Sequence, residues 1–311
     1  MKRLFVTLAA VILAAGIASA QDFNAAAEAF NNGGQALETN KQEALAMFRS
    51  ALEQASALDG DEAAELVAKC KDIIPPTLIS IAKEAINGAD YDGAVASLNE
   101  ACALAGEYGQ EAVANEAKGL ISTAYLRKGT TQIKEKDFTG AAASLKYVVD
   151  ADPTDGQAAL LYGQALMQGG DNEGAIAALT SAAENGKKDQ AGKLLGNLYL
   201  KEGSALLKAG KPSEAIEALQ KSNEWSESAN AYKLIASAYT KLGKSSNAIS
   251  SYKKYLEISP DAKDASDVKF TIAAAAQKAG DKATAIEYYK MLSSDAKYSA
   301  QAAQQLGVLQ K

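Results

Sequence analysis

Residues 229–262 read ANAYKLIASAYTKLGKSSNAISSYKKYLEISPDA. Two stretches with apolar residues at three- and four-residue steps flank the phrase Lys241-Leu-Gly-Lys-Ser-Ser-Asn-Ala248. That spacing lays apolar side chains along one face of a helix. Gly243 ends the first helix, because glycine takes the left-handed conformation that closes one. The phrase recurs as Lys208-Ala-Gly-Lys-Pro-Ser-Glu-Ala215, as Lys278-Ala-Gly-Asp-Lys-Ala-Thr-Ala285 and, more loosely, as Met167-Gln-Gly-Gly-Asp-Asn-Glu-Gly-Ala175. The chain is therefore read as a series of helical hairpins, with turns near Gly88, Lys136, Gly169, Gly210, Gly243 and Gly280.

The alanine that ends each phrase anchors a wider pattern. Twelve residues before it stands a small residue: Gly129, Gly163, Gly203, Ala236 and Ala273. Four residues after it stands a large one: Leu145, Leu179, Leu219, Tyr252 and Tyr289. Small residues let two helices approach, and the large ones fill the space beside the crossing. Pro153 and Pro260 close two of the copies.

This pattern resembles the tetratricopeptide repeat, a 34-residue helix-turn-helix unit. In 229–262 the consensus offsets are held by Tyr232, Ile235, Ala236, Tyr239, Ala248, Tyr252, Tyr255 and Pro260. The anchors Ala44, Ala94, Ala141, Ala175, Ala215, Ala248 and Ala285 step by 50, 47, 34, 40, 33 and 37 residues. The resemblance implies an all-α fold, a right-handed superhelix of stacked hairpins in which each repeat buries its face only against its neighbours.

The first two steps are longer than the repeat, and Asn32 stands where a small residue is expected. The first excess holds the helical stretch Glu62–Cys70 ahead of Pro75-Pro76. Proline suits a helix start and breaks a helix interior, so an extra helix is predicted before one that begins near Pro75. The second excess, 110–121, lengthens the first helix of the third unit. The predicted organisation is a leader at 1–20, irregular helical repeats with an extra helix at 21–121, the repeat array at 122–299 and a capping helix at 300–311.

The leader reading rests on Met1-Lys2-Arg3, an uncharged run of 15 residues from Leu4 to Ala18, and the A-x-A site Ala18-Ser19-Ala20 before Gln21. This is the pattern of a cleavable secretory signal. Its uncharged run is shorter than a membrane span of roughly 20 residues. The expectation is a mature protein in the periplasm or outside the cell, with no membrane span. The whole chain carries 32 basic and 38 acidic residues; the leader takes Lys2 and Arg3, leaving a net charge of −8. Acids and bases are interspersed, which argues against nucleic acid or an anionic membrane as partner.

There is no histidine among the 311 residues. That excludes Ser-His-Asp triads, Cys-His dyads and His-ligated zinc. No phosphate-binding glycine loop and no calcium-loop spacing occurs, so no catalytic residue, metal site or cofactor is assigned. Glu62/Glu65 and Asp261/Asp264 have helical spacing and read as solvated faces. The tyrosines fall on repeat offsets and read as core. Lys134, Lys208, Lys241 and Lys278 sit at helix ends, where a cation favours the exposed carbonyls. Cys70 and Cys102 lie in apolar helical surroundings, which favour buried free thiols, although export to an oxidising compartment leaves a disulfide open.

Some members of the resembled family grip a partner's C-terminal carboxylate with basic residues at matching inner positions of three adjacent units. Here two of those positions hold Leu160 and Leu200, and only Lys233 is basic, so the clamp is incomplete. The stacking of the family instead implies a concave face lined by the first helices. By offset its residues are Thr123, Leu126 and Thr130; Gln157, Leu160 and Gln164; Asn197, Leu200 and Ser204; Asn230, Lys233 and Ser237; and Phe270. An almost uncharged face with spaced apolar side chains suits an extended peptide or protein segment. The expected function is a non-catalytic interaction scaffold. A small-ligand or glycan-binding protein, or an enzyme of unrecognised type, are the alternatives.

Overall fold

The structure, a computed structural model, describes residues 19–310. Among them the regular elements are helical and no strand forms. The elements are α1 (Ser19–Ala36), α2 (Lys41–Ser56), α3 (Asp61–Asn87), α4 (Tyr91–Glu107), α5 (Glu111–Glu135), α6 (Phe138–Ala151), α7 (Gly156–Gly169), α8 (Asn172–Ala182), α9 (Lys188–Lys208), α10 (Pro212–Trp225), α11 (Ala229–Lys241), α12 (Ser245–Ile258), α13 (Ala265–Lys278), α14 (Lys282–Met291) and α15 (Ser299–Leu309). They pair as α1/α2, α3/α4 and so on to α13/α14. The pairs pack in two units, one up to Pro153 and one from Thr154.

Six of the seven hairpin turns share one hydrogen-bond pattern. Asp90, Asp137, Asp171, Lys211, Lys244 and Asp281 donate their backbone N–H to the carbonyls of Ala85, Gln132, Leu166, Leu206, Tyr239 and Ala276. The residue before each donor has positive φ: Ala89, Lys136, Gly170, Gly210, Gly243 and Gly280. This is the closure in which a left-handed residue returns the chain over the last carbonyls. In two turns the left-handed residue shifts by one from the predicted glycine, from Gly88 to Ala89 and from Gly169 to Gly170.

Four of those turns start the next helix with an aspartate. The side chains of Asp90, Asp137 and Asp171 accept from the N–H of Gly93, Gly140 and Gly174, and Asp281 accepts from Thr284. A Cβ on Gly93, Gly140 or Gly174 would collide with the capping carboxylate. Each cap satisfies an N–H that the helix leaves unpaired.

The hairpin crossings follow the small-against-large pattern. Gly129, Gly163 and Gly203 lie directly against Leu145, Leu179 and Leu219, and all three leucines are fully buried. The first hairpin departs by one residue. Gly33, not Asn32, faces the large side chain, Phe48. The turn at 37–40 has no left-handed residue, so it returns the chain differently and shifts the register.

The predicted break at Pro75 does not occur. α3 is one helix with Pro75 and Pro76 in its interior. Pro75 lacks the N–H that would bond to the Lys71 carbonyl. Gln110, at the start of α5, supplies the donor instead: its Nε2 lies 3.0 Å from Lys71 O and 3.2 Å from Asp72 Oδ1. No extra helix is needed, because the long steps are taken up by long first helices in α3, α5 and α9. The boundary predicted at 121/122 falls within α5.

In the first unit Phe48, Leu66, Ile74, Leu98 and Ile121 belong to one buried core. At the other end α15 lays Ala302, Leu306 and Leu309 on the core of α13 and α14. Of the predicted leader, residues 1–18 lie outside the described residues. The expected cut after Ala20 falls in the first turn of α1.

Candidate functional site

In the first unit α5 carries Thr123, Leu126 and Thr130, all half-buried. The two hydroxyls donate to their own helix, Thr123 to Gly119 O at 3.1 Å and Thr130 to Leu126 O at 2.7 Å.

In the second unit the predicted residues divide. Gln157, Asn197 and Asn230 are exposed, and Gln164, Ser204 and Ser237 are half-buried. The side-chain amides of Gln157, Gln164, Asn197 and Asn230 make no hydrogen bond to any described residue. Leu200 is half-buried and packs on the cluster of Leu207, Ala215 and Leu219. Leu160 is a correction. It is only 4% exposed, so it belongs to the core and not to the open face. A leucine gains roughly 1.5–3 kcal/mol by leaving water, and no offset rule forces it outward.

Phe270 is a second correction. Its ring stacks on Tyr298 at 4.5 Å and 15°, and meets the edge of Tyr289. Tyr298 stands just before α15, so the chain itself occupies the apolar position that the sequence assigns to a partner.

Lys233 is committed too. Its Nζ lies 2.5 Å from Asp264 and 5.6 Å from the centre of the Tyr255 ring. Tyr255 also donates its hydroxyl to Asp264. The hydrogen bonds from Lys233 and Tyr255 hold the Asp264 carboxyl below the usual carboxylate range. The bond to Asp264, followed by burial, pushes the Tyr255 phenol up to about 12. Asp264, read from sequence as a solvated acid, is therefore half of an ion pair between two repeats. Asp267 continues the pattern, accepting from Lys297 Nζ at 2.7 Å and Tyr298 Oη at 3.0 Å. The polar face stays open on α7, α9 and α11 and is closed over α13.

The terminal lysines behave as helix-end cations. Lys241 donates to Leu207 O at 3.2 Å, at the end of α9. No group of Cys, Asp and Glu side chains suited to a metal ion occurs among the described residues. No helix among them is long and apolar enough to cross a membrane.

Helical hairpins, six of the seven closed by one turn type and crossed small-against-large, define a helical repeat protein. Residues 132–198 and 200–263 match family models described as tetratricopeptide repeat, and this part of the chain is built of tetratricopeptide repeats. No curated protein sequence matches it. Among solved structures it is similar to MamA, at 25% identity over 58% of this chain and 94% of that one, with a TM-score of 0.36. The tetratricopeptide-repeat domain of P58(IPK) is 14% identical over 92% of this chain and 97% of that one, with a TM-score of 0.28. YrrB, a tetratricopeptide-repeat protein with an unusual peptide-binding site, is 17% identical over 58% of this chain and 91% of that one, with a TM-score of 0.33.

Proposed function

We propose that this chain is an exported scaffold that holds an extended segment of a partner protein on the first-helix face of its second unit. Tetratricopeptide-repeat proteins bind protein or peptide partners and are generally non-catalytic scaffolds. The observation that carries the assignment is the set of unused amides on α7, α9 and α11. Gln157, Gln164, Asn197 and Asn230 each offer a donor and an acceptor, the pair that a peptide backbone presents in return. Leu200 supplies a half-buried apolar contact beside them. Export rests on the leader-like sequence at 1–20.

The test is site-specific crosslinking. A photoreactive residue at 197 or 230 is expected to trap the same partner from envelope extract. The same residue at Glu217, exposed on the second helix α10, is expected to trap none. Adducts confined to 217 would overturn the face assigned. N-terminal sequencing of the envelope protein is expected to begin at Gln21, and retention of Met1 would overturn export.

A further inference from the structure

A cleft of about 590 Å³ opens between α10, α11 and α12. Ile235 and the rings of Tyr232 and Tyr239 line it from α11. These three lie about half a turn round α11 from Lys233 and Ser237, so the cleft faces away from the proposed peptide face. Gln220, Asn223 and Glu224 line it from the end of α10, and Asn247 and Ser250 from α12.

We propose that this cleft is a separate binding site for a neutral, polyhydroxylated ligand of the oligosaccharide class. The volume falls within the roughly 300–1,000 Å³ of small-molecule sites. Gln220, Glu224 and Asn247 are exposed, and their side chains make no hydrogen bond to any described residue. The two amides donate and accept and the Glu224 carboxylate accepts, and a sugar hydroxyl can answer each of these. Asn223 stands at the wall of the cleft. Its Oδ1 accepts from Ser228 N at 2.9 Å, which fixes the amide's orientation, and its Nδ2 is closed off from solvent without a partner.

The charge of the lining narrows the class. Glu224 is the one ionic side chain among the lining residues, and Lys254, which acts on the Tyr232 hydroxyl, is paired with Glu257. An anion would meet the Glu224 carboxylate with no lining counter-charge. A metal ion would find one carboxylate where several are needed. An apolar peptide side chain would find Ile235 as the only aliphatic contact. The tyrosine rings offer flat apolar surface with a polar tip, which suits the C–H face of a sugar. The hydroxyl of Tyr232 is tied to Glu227 at 3.0 Å, which steadies that ring.

The test uses the full chain and three neutral trisaccharides: maltotriose, cellotriose and N,N′,N″-triacetylchitotriose. Binding is followed by calorimetry and by the fluorescence of Trp225, the single tryptophan, next to Glu224. At least one trisaccharide is expected to bind saturably. The double variant Glu224→Ala/Asn247→Ala is expected to weaken it about tenfold or more, with an unchanged melting curve because both side chains are exposed and unpartnered. Glu173→Ala, exposed on α8 and outside the cleft lining, is expected to leave binding unchanged. Failure of all three sugars to bind overturns the proposal, as does binding that ignores the double variant. Binding of an uncharged pentapeptide in the same cleft, lost in the double variant while the sugars fail, assigns it to peptides instead. Crosslinking at 197 and 230 is independent of each result.

Discussion

A Cβ placed on Gly203 would lie 2.5 Å from Leu219 Cγ and 3.1 Å from the Ala215 carbonyl oxygen. Leu219 is fully buried, so it cannot swing into solvent to make room. Two effects oppose each other in Gly203→Ala. The helix gains roughly 1 kcal/mol in propensity. Overpacking a crossing costs roughly 1–3 kcal/mol. The crossing is expected to win, with a net loss of about 1 kcal/mol or more in urea unfolding. Gly119→Ala is the matched control, because a Cβ there meets nothing within 4 Å. It is expected to stabilise α5 by roughly 0.5–1 kcal/mol. Equal effects at the two sites would show that the close approach at Gly203 does not constrain the fold.

The Gln110 amide answers the Lys71 carbonyl that Pro75 leaves unpaired inside α3. Gln110→Ala removes the donor to Lys71 O and is expected to cost about 1 kcal/mol. In a Pro75→Ala background the new N–H bonds to Lys71 O itself, so the same truncation is expected to cost less. A double-mutant cycle measured by denaturant unfolding should give a coupling of about 0.5 kcal/mol or more. Independent, additive effects would mean that the side chain does not compensate for the proline.

These two sites mark where sequence was legible. The hairpin turns, the small-against-large crossings and the lengthened α5 are local or periodic features. Their signals lie within about 16 residues, as Gly203 and Leu219 do, and they recur. The continuity of α3 depends on a donor 39 residues from Lys71. The state of Lys233 depends on Asp264 in the next repeat, and that of Phe270 on Tyr298 beyond the last hairpin. No periodicity announces a single pair of that kind. The aspartate caps were visible as Asp-x-x-Gly at three turns, yet glycine there reads as a helix weakener until the carboxylate is seen folded over it.

Cys70 and Cys102 are free thiols, Cys70 fully buried and Cys102 half-buried. Burial pushes the Cys70 thiol up to about 12 from its ordinary 9.0. The folded state therefore keeps its proton where the unfolded state loses it. The resulting stability is complete below about pH 9 and is lost as pH rises toward 12. Cys70→Ala is expected to remove that part of the alkaline loss. In native protein at pH 8, iodoacetamide is expected to label Cys102 first and to reach Cys70 only after unfolding. Equal labelling rates, read by peptide mass spectrometry, would place Cys70 at the surface.

Leu160 and Asn197 separate core from binding face on neighbouring first helices. The repeat offsets assign both to the groove, but Leu160 is 4% exposed while Asn197 is open to solvent. Leu160→Glu would place a carboxylate where no cation has been positioned for it. An unpaired buried charge costs about 3–5 kcal/mol, so a large drop in the denaturant midpoint is expected. Asn197→Glu adds the same charge at an exposed site, where substitutions stay within about 0.5 kcal/mol. It is expected to fold normally and to weaken capture of a partner that uses the Asn197 amide as a donor, because glutamate offers only acceptors at neutral pH. Leu200→Glu, half-buried against the Leu207 cluster, is expected to fall between the two in stability. If Asn197→Glu and Leu160→Glu destabilise equally, the two side chains share one environment. The open face of α9 would then have no role apart from the core.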